Sequence, residues 1–270
     1  MNHNDGTIRV VIAGSGNVAE ALALAAAERE GIELAQIAAR NAARAAEIAA
    51  AAGCAWTDDL ARAAEADMYI IAVSDRAVGE VAAALRRSEG STLAHTAGSV
   101  AIDVLRDAAE SARGGYGVLY PFQTFTAGRA IDMREVPIFI EGSDADAERR
   151  IGRVARLLSR SVERASSERR RAIHLAGVLG CNFVNALYGM AADILAEREG
   201  LPFDVLRPLV IETARKAADA DHPRTVQTGP AVRGDRAVAE RHEAMLDSDP
   251  RAREIYRLLT DYIWETSKKI

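Results

Sequence analysis

The chain contains few lysines, few aromatic residues and few cysteines. Aromatic residues make up 5% of the 270 positions, and nearly all basic residues are arginines, because the only lysines are Lys216, Lys268 and Lys269. Any chemistry that requires a lysine side chain is therefore restricted to three positions near the C-terminus. The two cysteines, Cys54 and Cys181, make neither a disulfide framework nor a four-ligand zinc pattern.

Long apolar runs and basic blocks are also missing. No run approaches the roughly 20 apolar residues of a membrane span, and the polar opening residues contain no signal-peptide core. The 39 acidic and 34 basic residues give a formal charge of −5, which disfavours nucleic-acid binding. The histidines and carboxylates show no metal-ligand spacing. We therefore expect a cytoplasmic protein whose partner is a small molecule, with no nucleic acid, membrane or metal.

The first half of the chain alternates short β-branched runs with alanine-rich segments, which is typical of βαβ units around a parallel sheet. Beyond residue 167 only helical patterns occur, beginning with a long helix at 167–198 that ends before Gly200. The predicted fold class is α/β, with a Rossmann-type, doubly wound, mainly parallel sheet followed by an all-α C-terminal domain. The predicted domains are 1–163 and 164–270. Seven strands are predicted, at 8–13, 34–38, 68–73, 93–96, 117–120, 136–141 and 161–165.

A glycine-rich motif, GxGxxA at 14–19, directly follows the first predicted strand and opens a helix. In this context Gly14 permits a tight turn and Gly16 lets the backbone approach a pyrophosphate, while the helix N-terminus offers N–H groups to the phosphates. The alternative is a glycine turn that binds nothing. The predicted cofactor contacts in this motif are Gly14, Ser15, Gly16, Asn17 and Val18.

The end of the second strand indicates which dinucleotide binds. NAD-binding proteins place an acidic residue there for the ribose hydroxyls, whereas this chain has Arg40 and Asn41. The planar guanidinium of Arg40 suits a 2′-phosphate, so we predict NADP; a solvated arginine is the alternative. Val73 and Ser74, at the end of the third strand, are expected near the adenosine or the pyrophosphate.

Two further segments follow predicted strands. In the HTAGS segment, Gly98 and Ser99 can present N–H groups to a substrate anion, and His95 is either a proton donor or a buried histidine bonded to backbone. In the YPFQTF segment, Tyr120 begins a dense aromatic cluster that either lines a substrate site or packs between the domains. Gln123 and Thr124 are its candidate hydrogen-bonding groups.

The long helix and the last loop carry the remaining candidates. His174, Cys181 and Asn182 follow one another near i, i+7 and i+8 in an apolar segment, so they face either a substrate or a dimer interface. Arg233, in the loop at 221–234, is either an anion clamp or a solvated residue of a connection.

Several motifs together resemble a known family: GSGNVAEAL, AARN, AVSD, HTAGS, LYPFQTF, IHLAGVLGCNFVNALY and TGPAVRGD. The chain resembles Rossmann-like bacterial NADP oxidoreductases whose C-terminal helical domain has no known function. It is more distantly similar to pyrroline-5-carboxylate reductase, ketopantoate reductase and the β-hydroxyacid dehydrogenases. The resemblance implies an active site in the cleft between the domains and a homodimer formed through the helices.

The chain departs from these relatives at one important place. The β-hydroxyacid dehydrogenases carry a catalytic lysine in the first long helix with an asparagine one turn later, and neither residue is present at 171–178. His174 is therefore the candidate general acid, with His95 as the other candidate, while Asn182 and Tyr120 orient the substrate. We predict an NADP-dependent oxidoreductase acting on a small carboxylate-bearing keto, hydroxy or imine compound. The alternative is a non-catalytic NADP sensor or a dimerisation module.

Overall fold

The computed structural model describes residues 6–268, and its first half is built on an eight-stranded sheet. The strand order is β3-β2-β1-β4-β5-β6-β7-β8. All neighbouring strands are parallel except β6 and β7, which are antiparallel. The strands are β1 Ile8–Ala13, β2 Ile32–Ala38, β3 Ala55–Thr57, β4 Met68–Ile71, β5 Thr92–His95, β6 Tyr116–Pro121, β7 Ile138–Gly142 and β8 Val162–Arg164.

Helices cover both faces of this sheet, and β1 shows why. Successive side chains of a strand point to opposite faces, and β1 has apolar residues at both sets of positions. Val10 and Ile12 belong to one buried cluster, whereas Val11 and Ala13 belong to the other. The flanking helices are α1 Asn17–Ala27, α2 Ala42–Ala52, α3 Val78–Ala84, α4 Arg106–Ser111 and α5 Ala145–Leu158.

Local signals set several helix ends. Asn41 caps α2, because its side chain accepts a hydrogen bond from the N–H of Arg44. The same helix ends at Gly53, whose φ of 69° lies in the left-handed region that glycine tolerates. Asp144 caps α5 by accepting from the N–H groups of Asp146 and Ala147.

The predicted fold class is confirmed, with differences in short elements. The strand β3 was not predicted, because its three residues are too few to show alternation. Between β5 and β6 the chain forms a 3₁₀ turn, Ile102–Leu105, followed by the short α4. The loop predicted at 221–234 contains two short helical segments, Pro223–Val226 and Pro230–Arg233.

The contacts divide the chain into two compact units, which meet between Asn182 and Phe183 rather than near the predicted residue 163. The helix α6, Ser167–Gly177, belongs to the first unit, because Ser167 and Arg170 bond to Glu141 of β7. A π-helical turn, Val178–Asn182, follows it. The second unit consists of helices: α7 Phe183–Glu199, α8 Arg207–Asp219, α9 Pro230–Arg233, α10 Arg236–Met245 and α11 Pro250–Ser267.

The long helix corrects the expectation that no apolar segment approaches the length of a membrane span. Along residues 6–268, one continuous helix, Ser167–Glu199, contains an 18-residue window that is apolar enough to cross a membrane by length and composition. None of that window is buried. The apolar surface of this helix is therefore exposed to solvent.

Candidate active site

The glycine motif forms a tight turn between β1 and α1. Gly14 has a φ of 140°, and a Cβ atom there would lie 2.1 Å from the carbonyl oxygen of Ala72. Only glycine fits this approach. The side chain of Val73 lies beside the same position, since its Cγ1 would be 3.2 Å from that Cβ. The end of β1 and the segment after β4 are therefore in contact, as the nucleotide-site prediction requires.

The N-terminus of α1 is open where phosphates are expected. Within residues 6–268, apart from its chain neighbours and the backbone of its own helix, no atom lies within 4 Å of a Cβ placed on Gly16, and no side chain caps the helix there. The first N–H groups of the helix are thus free to bind an anion. Asn17 donates a side-chain hydrogen bond of 3.0 Å to the carbonyl of Phe125, which ties the YPFQTF segment to this turn. These residues fit a dinucleotide pyrophosphate.

The end of β2 carries a cation. Arg40 is exposed and pairs with Glu80 of α3, with 2.8 Å between the guanidinium and the carboxylate. Because both side chains are about two-thirds exposed, at 64% and 66%, the pair contributes little to stability and is easily exchanged for a ligand. Asn41 is engaged in capping α2, and Ser74 is exposed at the start of a 3₁₀ turn without a side-chain cap bond.

Three predicted residues from distant parts of the chain converge within the first unit. The hydroxyl of Tyr120 lies 3.1 Å from Nδ1 of His174, within hydrogen-bonding distance. A Cβ on Gly98 would lie 2.6 Å from that same Nδ1 and 2.8 Å from Cζ of Tyr120. Gly98 therefore lies directly against the paired rings, and its lack of a side chain lets them meet. Gly98, Tyr120 and His174 form what we call the Tyr–His cluster.

The Tyr–His cluster holds a protonated phenol at neutral pH. Burial raises the pKa of Tyr120 to about 12; the negative charge of Asp75 adds to this effect, and the positive charge of Arg170 opposes it. The carboxylate of Asp75 also accepts a hydrogen bond from the hydroxyl of Ser99, the residue after Gly98. His174 is only half-buried, so the cluster is reachable from outside.

The environment of His95 does not suit the predicted role of a proton donor. Its side chain has no exposed surface, and its Nδ1 accepts a hydrogen bond of 3.1 Å from the N–H of Ala97. Burial, with the positive charge of Arg170, lowers the pKa of His95 to about 4. The ring is therefore neutral at neutral pH and lies out of reach of a ligand, which matches the alternative of a buried histidine bonded to backbone.

The aromatic segment after β6 packs against α6. A Cβ on Gly177 would lie 2.6 Å from the ring of Phe122, so the ring rests on the backbone of the helix. Phe122 also lies edge-on to Tyr120, with 6.1 Å between ring centroids. Gln123 and Thr124 are exposed and bond to each other, with the Gln123 side-chain oxygen accepting from the Thr124 N–H at 2.8 Å.

The π turn changes the direction of Asn182. In a continuous α-helix, Asn182 would lie about 80° around the axis from His174. A π turn contains roughly one more residue than an α turn, so the turn Val178–Asn182 rotates Asn182 back toward the face of His174. Asn182 is exposed. Helical spacing read from the sequence did not include this rotation.

Arg233 lies in the second unit. It ends the short helix α9 before Gly234, whose φ is 67°. A Cβ on Gly234 would lie 2.5 Å from the ring of Trp264 in α11, so this turn is packed inside its own unit. The role of Arg233 as an anion clamp stays a prediction.

One buried group beside the cluster, Arg170, is not indicated by the sequence pattern. Arg170 is completely buried and pairs with Glu141 of β7 at 2.5 Å. The segment Arg169–Arg171 consists of three arginines in an arginine-rich chain, and nothing in that run marks the middle one as buried. The only sequence signal for Arg170 is that it precedes His174 by four residues, which places both side chains on the same face of a helix.

Two family models match the chain. The model described as NADP oxidoreductase, coenzyme F420-dependent, matches residues 9–104. The model described as a domain of unknown function, DUF2520, matches residues 136–263. A comparison with curated proteins finds no match.

Solved structures are similar over nearly the whole chain. A Bacteroides fragilis protein provisionally classed as an NADP oxidoreductase is 37% identical with a TM-score of 0.85, over 97% of this chain and 100% of that chain. A reductive aminase from Aspergillus terreus, solved with NADPH and ethyl-5-oxohexanoate, is 18% identical with a TM-score of 0.68, over 97% and 94% of the two chains. A pyrroline-5-carboxylate reductase from Coxiella burnetii is 17% identical with a TM-score of 0.56, over 98% of both chains.

At 18% and 17% identity, the last two structures show the fold alone. The NADP named in the first family model and in the Bacteroides structure agrees with the predicted cofactor.

Proposed function

Because this chain belongs to the NADP oxidoreductase family in which a Rossmann-type domain precedes a helical domain of unknown function, we propose that it is an NADPH-dependent enzyme acting on a small carboxylate-bearing keto, hydroxy or imine compound. The family is the one that the sequence motifs indicate. The observation that carries the proposal is the hydrogen-bonding contact between Tyr120 and His174 beside Gly98.

The residues that would hold NADP lie around the glycine turn. The free N–H groups at the start of α1 would bind the pyrophosphate, beside Gly14 and Gly16. Arg40 would leave its exposed partner Glu80 and bind the 2′-phosphate. When bound, NADPH supplies a hydride to the substrate. The protein supplies position, charge and a proton.

Tyr120 and His174 are suited to supply that proton. The phenol of Tyr120 is protonated at neutral pH, because its pKa is raised to about 12. Its hydroxyl is shared with Nδ1 of His174. If that nitrogen donates, the phenolic O–H is free to point at a substrate oxygen or nitrogen. After the phenol gives its proton to the substrate, Nδ1 would return a proton to the phenolate while Nε2 takes one from water, so the imidazole ends neutral. General acid catalysis of this kind contributes about 10²–10⁴-fold in rate.

The substrate would lie against the open side of the Tyr–His cluster, with its anionic group toward the backbone of Ser99. Asn182 would orient it from the helix after the π turn. Imines are the first substrates to test, because solved structures with the same fold are named imine reductase, reductive aminase and pyrroline-5-carboxylate reductase. Keto acids form the second group.

The helical unit is proposed to bind a second copy of the chain. Large apolar side chains are exposed along its helices, including Phe183 at 55%, Leu209 at 62%, Leu258 at 58% and Tyr262 at 55%. On a protein that works in water, such an exposed apolar surface marks an interaction site. The predicted location of this protein is the cytoplasm. A homodimer would cover the apolar window of the long helix. Light scattering is expected to give twice the chain mass, and Leu258→Glu combined with Leu209→Glu is expected to give a monomer.

A substrate panel tests the proposed activity. Cyclic imines, keto acids and ketone–amine mixtures are supplied with NADPH, and oxidation of the cofactor is followed by absorbance. We expect turnover with at least one imine or keto acid and slower turnover with NADH. If NADPH binds in calorimetry but no compound of either class is reduced, the non-catalytic sensor is the correct reading.

A further inference from the structure

A buried ion pair lies where the three segments that carry the residues of the Tyr–His cluster come together. The side chain of Arg170 is 0% exposed and that of Glu141 is 19% exposed, with 2.5 Å between them. Removing two opposite charges from water is costly unless both are well paired and hydrogen-bonded. The cost of this burial suggests that the pair does more than add packing.

Glu141 bonds to the first residue of α6. One of its carboxylate oxygens accepts the N–H of Ser167 at 2.9 Å, and the other accepts the hydroxyl of the same serine at 2.8 Å. An acidic group at a helix N-terminus satisfies free N–H groups and is favoured by the helix dipole. The first turn of α6 is thereby attached to β7, the neighbour of β6, which carries Tyr120.

Arg170 connects α6 to β7 and to the segment that follows Gly98. One terminal guanidinium nitrogen, Nη1, donates to Glu141, and the other terminal nitrogen, Nη2, donates to the carbonyl of Val100, two residues after Gly98. The hydroxyl of Ser167 also accepts from the N–H of Ile102 at 3.2 Å. Thus a single guanidinium links the helix that carries His174 to the loop that carries Gly98.

His174 follows Arg170 by four residues, so both lie on the same face of α6. Any rotation of the helix about Arg170 moves the imidazole relative to Tyr120. We propose that Arg170 is a positioning residue, which through its bonds to Glu141 and Val100 holds His174 and Gly98 in place around Tyr120. Only the kinetic part of the test below rests on the proposed function.

The alternative is an anchor that stabilises the fold without affecting the site. Arg170→Lys separates the two roles, because lysine keeps the positive charge but has no planar fork to bind Glu141 and Val100 together. The second variant is Glu141→Gln, which keeps a side-chain oxygen but loses the charge. Tyr69→Phe is the matched control. Its buried hydroxyl bonds to the carbonyl of Ala64 at 2.8 Å within the β4 core, away from the cluster, so the change costs stability alone.

The first measurement does not depend on activity. Long-range ¹H–¹⁵N spectra of the five histidines, with His174 assigned by its alanine variant, report the hydrogen bond at Nδ1. We expect the His174 signals to shift in Arg170→Lys and in Glu141→Gln and to stay unchanged in Tyr69→Phe. Unchanged His174 signals in a folded Arg170→Lys protein would overturn the proposal. If that variant does not fold, unchanged signals in Glu141→Gln overturn it instead.

The second measurement uses the substrate found in the panel. We expect kcat of Arg170→Lys to fall by about 10²-fold, the effect of misplacing a catalytic group by about 1 Å. The Kd for NADPH should change by less than about twofold, since the glycine turn is untouched. If no substrate is found, the spectra still decide the proposal. If kcat falls no further in Arg170→Lys than in Tyr69→Phe, Arg170 is an anchor of the fold.

Discussion

Gly98→Ala tests the geometry of the Tyr–His cluster with one added methyl group. The new Cβ would lie 2.6 Å from Nδ1 of His174 and 2.8 Å from Cζ of Tyr120. Ordinary contacts between such atoms are about 3.5 Å, so the two rings must retreat by a combined distance of about 1 Å or more. The Tyr120–His174 contact is 3.1 Å. A displacement of that size takes it beyond hydrogen-bonding distance.

The expected magnitudes follow from that displacement. Inserting a methyl group into a packed site costs about 1–3 kcal/mol of unfolding free energy. Misplacing a catalytic acid by about 1 Å lowers kcat about 10²-fold. The binding of NADPH should be nearly unchanged, because the glycine turn is formed by β1 and α1. The variant is therefore expected to be folded, to bind cofactor and to be nearly inactive.

The assay compares Gly98→Ala with Gly79→Ala, which lies in α3 and meets only a methyl group of Val104, at 3.3 Å. Thermal unfolding, NADPH calorimetry and steady-state kinetics are measured for both. We expect a loss of kcat for Gly98→Ala alone. Wild-type kcat in Gly98→Ala, at unchanged cofactor affinity, would refute the role given to the cluster.

Three further outcomes are expected. Arg40→Ala should weaken NADPH binding about tenfold and leave NADH binding unchanged in calorimetry; equal losses would contradict the 2′-phosphate assignment. Gly14→Ala should abolish NADPH binding and lower the melting temperature, because its Cβ would lie 2.1 Å from the carbonyl oxygen of Ala72. The pKa of His95 is lowered to about 4 in the folded protein, so the unfolded chain binds its proton first, and stability falls as the pH drops below about 6.5. Denaturant unfolding should show a loss of about 2 kcal/mol between pH 7 and pH 5 that is absent in His95→Gln.

Local signals in the sequence predict the nucleotide end of the site. The turn at 14–19 follows the apolar run at 10–13 of β1, and both the strand and the glycine spacing can be read within a dozen residues. The position of Arg40 at the end of β2 can also be read from the local sequence pattern. The three-residue β3 is missed because it shows no period, although it pairs with β2 as an edge strand.

The proposed reacting end of the site depends on contacts between residues that are distant in the chain. Tyr120 and His174 were each predicted to be site residues, but their pairing spans 54 positions and depends on the start of α6. Sequence pattern does not distinguish the buried His95 from the half-exposed His174, because burial is set by tertiary packing. Arg170 lies among other arginines, and its importance appears only when Glu141 and Val100 are brought beside it.

Tyr120 and His174 are proposed to act together as the acid of an NADPH-dependent reduction. The most direct measurement is kcat for Tyr120→Phe, His174→Ala and the double variant, with the substrate identified in the panel and at saturating NADPH. We expect each single variant to lose about 10²-fold or more in kcat and the double variant to lose little beyond that, since the residues work as one unit. Full activity in both single variants, with NADPH oxidised at the wild-type rate, would contradict it.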